Sequence, residues 1–407
     1  MKFLKNYRST FLLLGAMLVG SLLGIYVPAS VNILTPVGDA FMNLLYCLIV
    51  PMVFVSLSCC MIRMKDSAKL KKTFLVLIIV FVVVITITAT LMATGCALFD
   101  PSQGVTLFGD GESYDLSQSS SNFLAAFTAS DFYLLLSRKN LLALVVAALA
   151  FGAAMFQLQD RVPMVVNFFD QLEAVIMKVA GYVIKIAPIG IGAVFAGLAQ
   201  KFGSQLLTTM QRTTILVLGV FLLYYVGFSS LLAYIAGGAK GLKSFWKCQT
   251  APALTGLGTS SSAAALPVLI NACNEVGVPE SLSNLVSSLA TNLYKPGGTM
   301  CQVVKIAVVG GLYGLNFADP AIFLKAIFVA VFIGIVAGSI PGGGYIGEII
   351  IMSSFGFPAD SLPIMILIAT LYDPFSTCLN CSNRVSIAML VTRFVEGKNW
   401  MKTAKTE

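Results

Sequence analysis

The chain has 407 residues, of which 57% are hydrophobic and only 11% are charged, and its formal net charge is +8. Soluble domains carry about a quarter charged residues, so this composition excludes a soluble protein and indicates a membrane-embedded one. The sequence contains no histidine, which excludes imidazole proton relays, histidine-ligated zinc sites and serine–histidine triads. The nine cysteines lack the spacing of a metal site or a disulfide framework, and we expect neither a cofactor nor a bound metal.

The N-terminal part of the chain contains apolar runs that are long enough to cross a bilayer as helices, which takes about 20 residues. We predict transmembrane spans at residues 10–27, 33–61, 73–99, 141–158, 164–198 and 214–236. The run 10–27 follows basic residues, as in a signal peptide. Because no small-residue cleavage site comes after it, we interpret this run as an uncleaved first span.

Charged residues between these spans are distributed unevenly. Basic residues cluster at 63–72, at 240–247 and in the tail at 398–405, whereas the loop after the third span, 100–115, is acidic. Positive charge is typical of cytoplasmic loops, and a cytoplasmic N-terminus places every basic cluster inside and the acidic loop outside. We therefore predict a multi-pass protein of the plasma or inner membrane with both termini in the cytoplasm, and no nucleic-acid partner.

The C-terminal part of the chain has a different pattern, because clusters of Gly, Pro and Ser interrupt its apolar runs. The clusters lie at residues 255–262, 295–299 and 339–344. Irregular backbone in a bilayer survives only where protein or water surrounds it, and such interruptions mark the binding site of many transporters. We predict two re-entrant hairpins with tips at 260–262 and 341–344. A span broken at 295–298 follows the first hairpin, and a span carrying 373–384 follows the second. Ordinary turns or close packing of helices on small residues are the alternative interpretation.

These residues resemble the dicarboxylate/amino acid:cation symporter family, which contains the glutamate transporters and their prokaryotic relatives. The most specific matches are the serine-rich tip 259–262, which leads into 265–268, and the second tip, 340–344. Weaker matches are 187–190 in the fifth span and 98–101 after the third. The resemblance covers nearly the whole chain.

The resemblance implies an all-α integral membrane protein with eight transmembrane helices plus two re-entrant helical hairpins, arranged as inverted repeats in a homotrimer within the lipid bilayer. It assigns a scaffold domain to 1–72 and 122–212, a transport domain to 73–99 and 213–394, an extracellular polar loop to 100–121, and a cytoplasmic tail to 395–407. The implied function is secondary active transport of a small amino acid or dicarboxylate by elevator-type alternating access.

The resemblance also implies a set of substrate contacts, carried over by position. On the two hairpin tips and the seventh span they are Ser260, Ser261, Thr299, Ile340 and Gly344. On the last span they are Asp373, Ser376, Thr377 and Asn380.

The sequence departs from the family where sodium would bind. The seventh-span motif N-M-D-G-T, whose Asn and Asp ligate sodium in the family, is K-P-G-G-T at 295–299. The last sodium-binding Asp is replaced by Arg384, and the third-span ligands fall on Phe81, Val84 and Ile85. Because sodium needs oxygen ligands, we expect sodium coupling to be altered or absent.

The replacements at two of these positions are cations, which are costly at the middle of a bilayer unless they are paired. We hypothesise that Lys295 and Arg384 stand where sodium ions would sit, as tethered counter-charges, with Asp373 and Glu348 as candidate partners. The carrier would then be a uniporter, an exchanger or a proton-coupled transporter. Alternatively, Lys295 snorkels towards water and Arg384 lies near the end of its span.

The substrate pocket differs from the family as well. The arginine that binds a side-chain carboxylate as a bidentate fork is Ser376 here, whereas Asp373 keeps the place that binds an α-amino group. This combination favours a small neutral or polar amino acid. If Arg384 or Lys295 binds the carboxylate instead, an acidic substrate is again possible.

Two other functional classes compete with transport. A membrane hydrolase could pair a serine of 260–262 with Lys295 as its base, and labelling by a fluorophosphonate would reveal it. A channel or a non-transporting sensor with the same fold would show conductance, or binding without flux. We expect a transporter and not an enzyme, because no other feature of a hydrolase is present in the sequence.

Overall fold

The computed structural model describes residues 8–62, 70–102, 128–137, 140–336 and 344–403, and the regular elements among them are helices. In chain order they are α1 (Arg8–Tyr26), α2 (Pro28–Ile62), α3 (Leu70–Leu98), α4 (Phe132–Leu135), α5 (Leu141–Leu158), α6 (Pro163–Leu222), α7 (Ser229–Cys248), α8 (Thr250–Thr259), α9 (Ser262–Val276), α10 (Glu280–Leu293), α11 (Pro296–Leu312), α12 (Pro320–Val336), α13 (Gly344–Phe355), α14 (Leu362–Glu396) and α15 (Trp400–Thr403). A π-helical turn, Leu223–Phe228, joins α6 to α7, and a 3₁₀ turn, Ala359–Ser361, precedes α14.

The helices keep apolar side chains on their outer surfaces as well as in the core. Leu18, Ile33 and Ile215 are each more than half exposed, as expected for helices that face lipid and not water. In the part of the chain that the structure describes, three helical segments are long and apolar enough to cross a membrane on their own: Leu75–Leu98, Thr209–Thr259 and Ala359–Glu396. The number rises to five if each of two bent helix pairs is one span. The all-α class is confirmed for the described residues, whereas the predicted number of eight spans plus two hairpins stays a prediction.

The first four predicted spans coincide with α1, α2, α3 and α5, but the fifth and sixth are not separated as expected. The sequence was interpreted as a loop at 199–213, whereas α6 continues through this segment as helix. The segment is less apolar than its flanks, but it contains Leu, Gln and Met, which favour helix, and no proline. Within α6 the axis bends by 47° at residue 184. Pro188, four residues later, accounts for the bend because its ring clashes with the carbonyl of residue 184.

The helices pack in two groups. In the first group, α1 and α2 pack on each other and on the long helix α6, and α5 packs on α2. In the second group, α14 is the central helix, and α3 and α7 to α11 surround it. The region around α14 therefore holds the first two of the irregular segments that the sequence singled out, at 255–262 and 295–299.

Small residues bring the backbones of α1 and α6 into direct contact. A Cβ atom added at Gly20 would lie well inside 3.0 Å of the Gly192 carbonyl, and one added at Gly24 would meet the Ala196 carbonyl in the same way. Gly20 and Gly24 are four residues apart, and so are Gly192 and Ala196, which is the small-xxx-small spacing of closely packed membrane helices. This contact fixes the first helix against α6.

We expect Gly20→Ala to destabilise the folded protein by about 1–3 kcal/mol, since the added methyl group overpacks a backbone contact. The measurement is the midpoint of thermal unfolding in detergent, followed by the monodisperse fraction on size exclusion. Gly15→Ala is the matched control, because a Cβ at Gly15 meets nothing within 4 Å. Equal midpoints for the two variants would contradict the close packing of α1 on α6.

Candidate functional site

Two irregular segments meet at the middle of α14. The tip between α8 and α9 and the break between α10 and α11 both approach the α14 backbone at glycines. A Cβ at Gly256 would lie 2.8 Å from the Thr377 carbonyl oxygen, and one at Gly297 would lie 2.5 Å from the Ser376 carbonyl oxygen. Residue types with a side chain would therefore push these segments apart.

The predicted first tip is a turn between two helices. Ser260, after the end of α8, has a left-handed backbone with φ 48°, which reverses the chain. Ser261 then caps α9, because its Oγ accepts a hydrogen bond from the Ala264 N–H at 3.3 Å, as serine commonly does at a helix start. The Ser260 Oγ is buried and has no hydrogen-bond partner among the described residues, so it is the polar group of this tip that is available to a ligand.

The break in the seventh span lies slightly earlier than expected. Tyr294 has an extended backbone and Lys295 a non-helical one, with φ −133° and ψ 71°, whereas Pro296 already begins α11. The expected break at 295–298 is corrected accordingly, because proline suits the first position of a helix, where no backbone N–H is needed. The Gly297 N–H donates to the Asn380 Oδ1 at 2.8 Å, which satisfies one of the free N–H groups at the start of α11.

The predicted contacts on the seventh span and the second tip have different outcomes. Thr299 is fully buried in the first turn of α11, and its Oγ1 donates to the Lys295 carbonyl at 3.1 Å. Gly344 is the first residue of α13. Ile340 and residues 341–343 of the predicted second tip lie outside the described residues.

The predicted contacts of the last span share one face of α14. Asp373, Ser376, Thr377 and Asn380 follow one another at the spacing that places side chains on one side of a helix. Ser376, Thr377 and Asn380 are buried, whereas Asp373 is exposed. Lys295 lies close enough to Asp373 to interact with it electrostatically. A carboxylate and an ammonium group therefore lie at the open side of a buried polar face.

Arg384 lies well inside α14 and is 1% exposed. Its Nε and Nη2 donate to the Tyr294 carbonyl at 3.3 and 3.1 Å, and Nη2 also donates to the Thr291 carbonyl at 3.4 Å. These carbonyls end α10, where the helix dipole is negative and carbonyl groups lack partners within the helix. The guanidinium thus binds the C-terminal end of the broken helix and not one of the two carboxylates that the sequence suggested.

Glu348 has a partner that sequence reasoning missed. Lys305 of α11 donates to the Glu348 Oε1 of α13, and at 3.3 Å to the Gln302 Oε1. Lys305 and Glu348 are 2% and 1% exposed. A lone lysine in the apolar run of α11 and a lone glutamate in that of α13 are signals that could have predicted this pair.

Asn383, the residue before Arg384, is the centre of a buried hydrogen-bond network that the sequence did not suggest. Its Oδ1 accepts from the hydroxyl groups of Tyr224, at 3.2 Å, and Tyr294. Its Nδ2 donates to the Ser229 Oγ at 2.9 Å and the Ser386 Oγ at 3.2 Å. The network joins α14 to the π-helical turn, the start of α7 and the break before α11, so it fixes the site's walls.

A group of possible metal ligands lies away from this site, between α2 and α6. Cys59, Asp170 and Glu173 have ligand atoms within 4.8 Å of one another. Each of them already takes part in a hydrogen bond or an electrostatic interaction. The residues around α14 therefore remain the candidate site for transport chemistry.

Comparison with known proteins gives one family. The family model described as sodium:dicarboxylate symporter family matches residues 10–394. The chain is 23% identical to a proton/sodium-glutamate symport protein of Bacillus subtilis, over 98% of each chain. It is 24% identical to a proton/glutamate-aspartate symporter of Escherichia coli, over 94% of this chain and 92% of that one. It is 28% identical to C4-dicarboxylate transport protein 2 of Ralstonia nicotianae, over 67% of this chain and 63% of that one.

We expect Asn383→Ala to lower the stability of the protein by about 2–4 kcal/mol, because it leaves several buried polar groups without partners. Asn383→Asp, which keeps the acceptor for both tyrosines, should have a smaller effect. The midpoint of thermal unfolding in detergent measures both. Thr370→Ala is the control, since the one partner of the Thr370 hydroxyl among the described residues is the Ile366 carbonyl of its own helix. An Asn383→Ala midpoint equal to that of the control would contradict the network.

Proposed function

The chain belongs to the sodium:dicarboxylate symporter family, and we propose that it is a secondary transporter of a small amino acid or dicarboxylate in which Arg384 takes the place of a coupling sodium ion. Family membership makes the chain a multi-pass membrane transporter and not an enzyme. The relatives named above are symporters of glutamate and aspartate or transporters of C4-dicarboxylates. What we add for this chain is the replacement of the coupling sodium ion by Arg384 and the assignment of the substrate-binding residues.

The binding of Arg384 to the end of α10 is the observation that carries the proposal. Backbone carbonyl oxygens at a broken helix end are ligands for a hard cation such as sodium. Here the guanidinium group already donates to the carbonyls of Thr291 and Tyr294. A tethered cation satisfies these oxygens in every state of the protein, so transport would not require sodium from solution.

The other charges of the site support the same conclusion. Lys295 is close to Asp373, and Lys305 is paired with Glu348, so each carboxylate has its own ammonium group. Arg384 is then the additional positive charge, in the role that a bound sodium ion would have. Asp373 would bind the α-amino group of an amino acid, as the resemblance implies, and Ser376 stands at the position where the family's arginine would bind a second carboxylate.

We extend the proposal to the movement that transports the substrate. Residues 1–72 and 122–212 would form the scaffold, and residues 73–99 and 213–394 would form a transport domain that carries substrate across the membrane. The packing of α3 and α7 to α11 around α14 supports this division. Its boundary at 212–213 falls inside α6, so elevator-type movement would require α6 to bend there.

The assembly and orientation belong to the proposal as well. A homotrimer in the plasma membrane is the arrangement that the family resemblance implies, with eight spans, two hairpins, and both termini in the cytoplasm. The basic clusters at 63–72, 240–247 and 398–405 support this orientation, since positive charge favours the cytoplasmic side.

We expect purified protein in proteoliposomes to take up at least one of radiolabelled L-serine, L-aspartate and succinate with saturation. The initial rate should be equal in sodium and in choline medium, because the cation at the end of α10 is part of the chain. Empty liposomes are the control for leakage. Strict dependence on sodium would contradict the role of Arg384, and the absence of saturable uptake of all probes would contradict the transport function.

We expect Arg384→Asp to make uptake sodium-dependent, because it replaces the tethered cation by a carboxylate beside two free carbonyl groups, a suitable ligand set for sodium. Arg384→Lys keeps the positive charge and should stay independent of sodium. Arg393→Asp makes the same change of charge near the end of α14, away from the site, and is the matched control. Sodium stimulation in Arg393→Asp but not in Arg384→Asp would contradict the proposal.

A further inference from the structure

The pair formed by Lys305 and Glu348 is buried between α11 and the arm of the second hairpin, α13. Both side chains are almost fully removed from solvent, so each has lost its hydration, and a buried pair seldom repays this cost by attraction alone. Gly347 brings the two helices close, because a Cβ there would lie 2.6 Å from the Gln302 Nε2. A charged pair in this position is therefore a candidate for a role in transport.

The pair is electrostatically connected to the candidate substrate site. Lys305 lies within electrostatic range of Asp373 on α14 and of Cys301 on its own helix. Cys301 in turn interacts with Ser376, the residue at the position where the family has its carboxylate-binding arginine. Lys305 thus brings a positive charge close to the position from which that arginine is missing, but from a different helix.

Glu348 has room for a proton. Its Oε1 accepts from Lys305, whereas its buried Oε2 has no hydrogen-bond partner among the described residues. A proton can bind to Oε2 without displacing a hydrogen bond that the carboxylate already makes to the described part of the chain.

We propose that Glu348 carries the coupling proton and that Lys305 then stabilises the carboxylate of the substrate. A proton from the aqueous side binds Oε2 and makes the Glu348 side chain neutral, while Lys305 keeps its charge. The substrate carboxylate becomes the new counter-charge of Lys305, so one proton and one carboxylate enter together without net charge. On the other side both leave, and the original pair forms again.

The coupling follows from thermodynamic reciprocity. If protonation of Glu348 strengthens carboxylate binding by removing a competing negative charge, carboxylate binding must strengthen protonation by the same factor. This inference rests on the proposed transport function, and it deepens that function by naming a carboxylate-bearing substrate and a proton as the coupled ion.

The other ionisable groups around Glu348 lie on α11, α12 and α14. From α11 they are Lys305 and Cys301, and from α14 it is Asp373, which already interacts with Lys295. From α12, Lys325 lies over the ring of Phe355, further along α13, with its Nζ 4.8 Å from the ring centre. The helix α5, which also packs against α13, has no ionisable residue. Glu348 is the group in contact with Lys305 and is the one that we assign.

The experiment uses the full chain in proteoliposomes with radiolabelled L-serine, L-aspartate and succinate as probes. Counterflow exchange without a gradient is compared with accumulation driven by an acidic outside medium, and a pH dye inside the vesicles reports proton entry. We expect wild type to perform both. Glu348→Gln, which resembles the protonated acid, should keep counterflow and lose accumulation and substrate-dependent proton entry. Glu280→Gln, at an exposed position on α10, is the matched control and should behave as wild type.

A double variant tests the same inference if Glu348→Gln alone fails to fold. Lys305→Met with Glu348→Gln leaves no unpaired buried charge, so it should fold even if Glu348→Gln does not. It should lose proton coupling and show an increased KM for the transported probes. Proton-driven accumulation by either variant would overturn this inference while the transport function stands. Absence of counterflow in wild type would overturn the transport function itself.

Discussion

A fully buried arginine must have partners for its donors, and Arg384 finds them in the carbonyl groups that end α10. Asn380, one turn earlier on α14, accepts a hydrogen bond from the Gly297 N–H at the start of α11. The two side chains are neighbours on one helix face. Asn380 supplies an acceptor at the positive, N-terminal end of α11, and Arg384 supplies donors at the negative, C-terminal end of α10. The break at Tyr294 and Lys295 is therefore held open by α14, and the tip, the break and the last span form one site.

A cation that belongs to the chain has a different energetic role from a bound ion. Sodium that binds on one side and leaves on the other releases the free energy of its gradient, whereas Arg384 returns with the protein in every cycle. Its movement therefore contributes no net driving force. Arg384 stabilises the site electrostatically but does not couple transport to an ion gradient. Concentrative transport therefore requires another group that gains and loses a charge. Among the buried groups near the site, Glu348 is suited to this role because its Oε2 has no hydrogen-bond partner among the described residues.

The sequence predicted the parts of the site that depend on local chemistry. Glycine, proline and serine occur where the backbone is irregular. From them, the positions of the tip at Ser260 and of the break at Lys295 were predicted to within one or two residues. Pairings between distant helices, such as Lys305 with Glu348, depend on tertiary packing and leave only a lone charge in an apolar run as their signal. The continuation of α6 through 199–213 was missed because polarity was interpreted as a loop, although helicity does not require apolar residues.

Charge balance also explains how closure of the site can depend on its contents. In the arrangement described, α13 is held against α11 by Lys305 and Glu348, both out of contact with water. Moving α13 away would return these charges to water at little cost, whereas closing over an unbalanced charge would carry a large desolvation penalty. A site that holds a proton without a carboxylate, or a carboxylate without a proton, is unbalanced in this way. Under the proposed coupling, only the empty pair and the fully loaded site would close, and this condition would prevent movement of the proton or of the substrate alone.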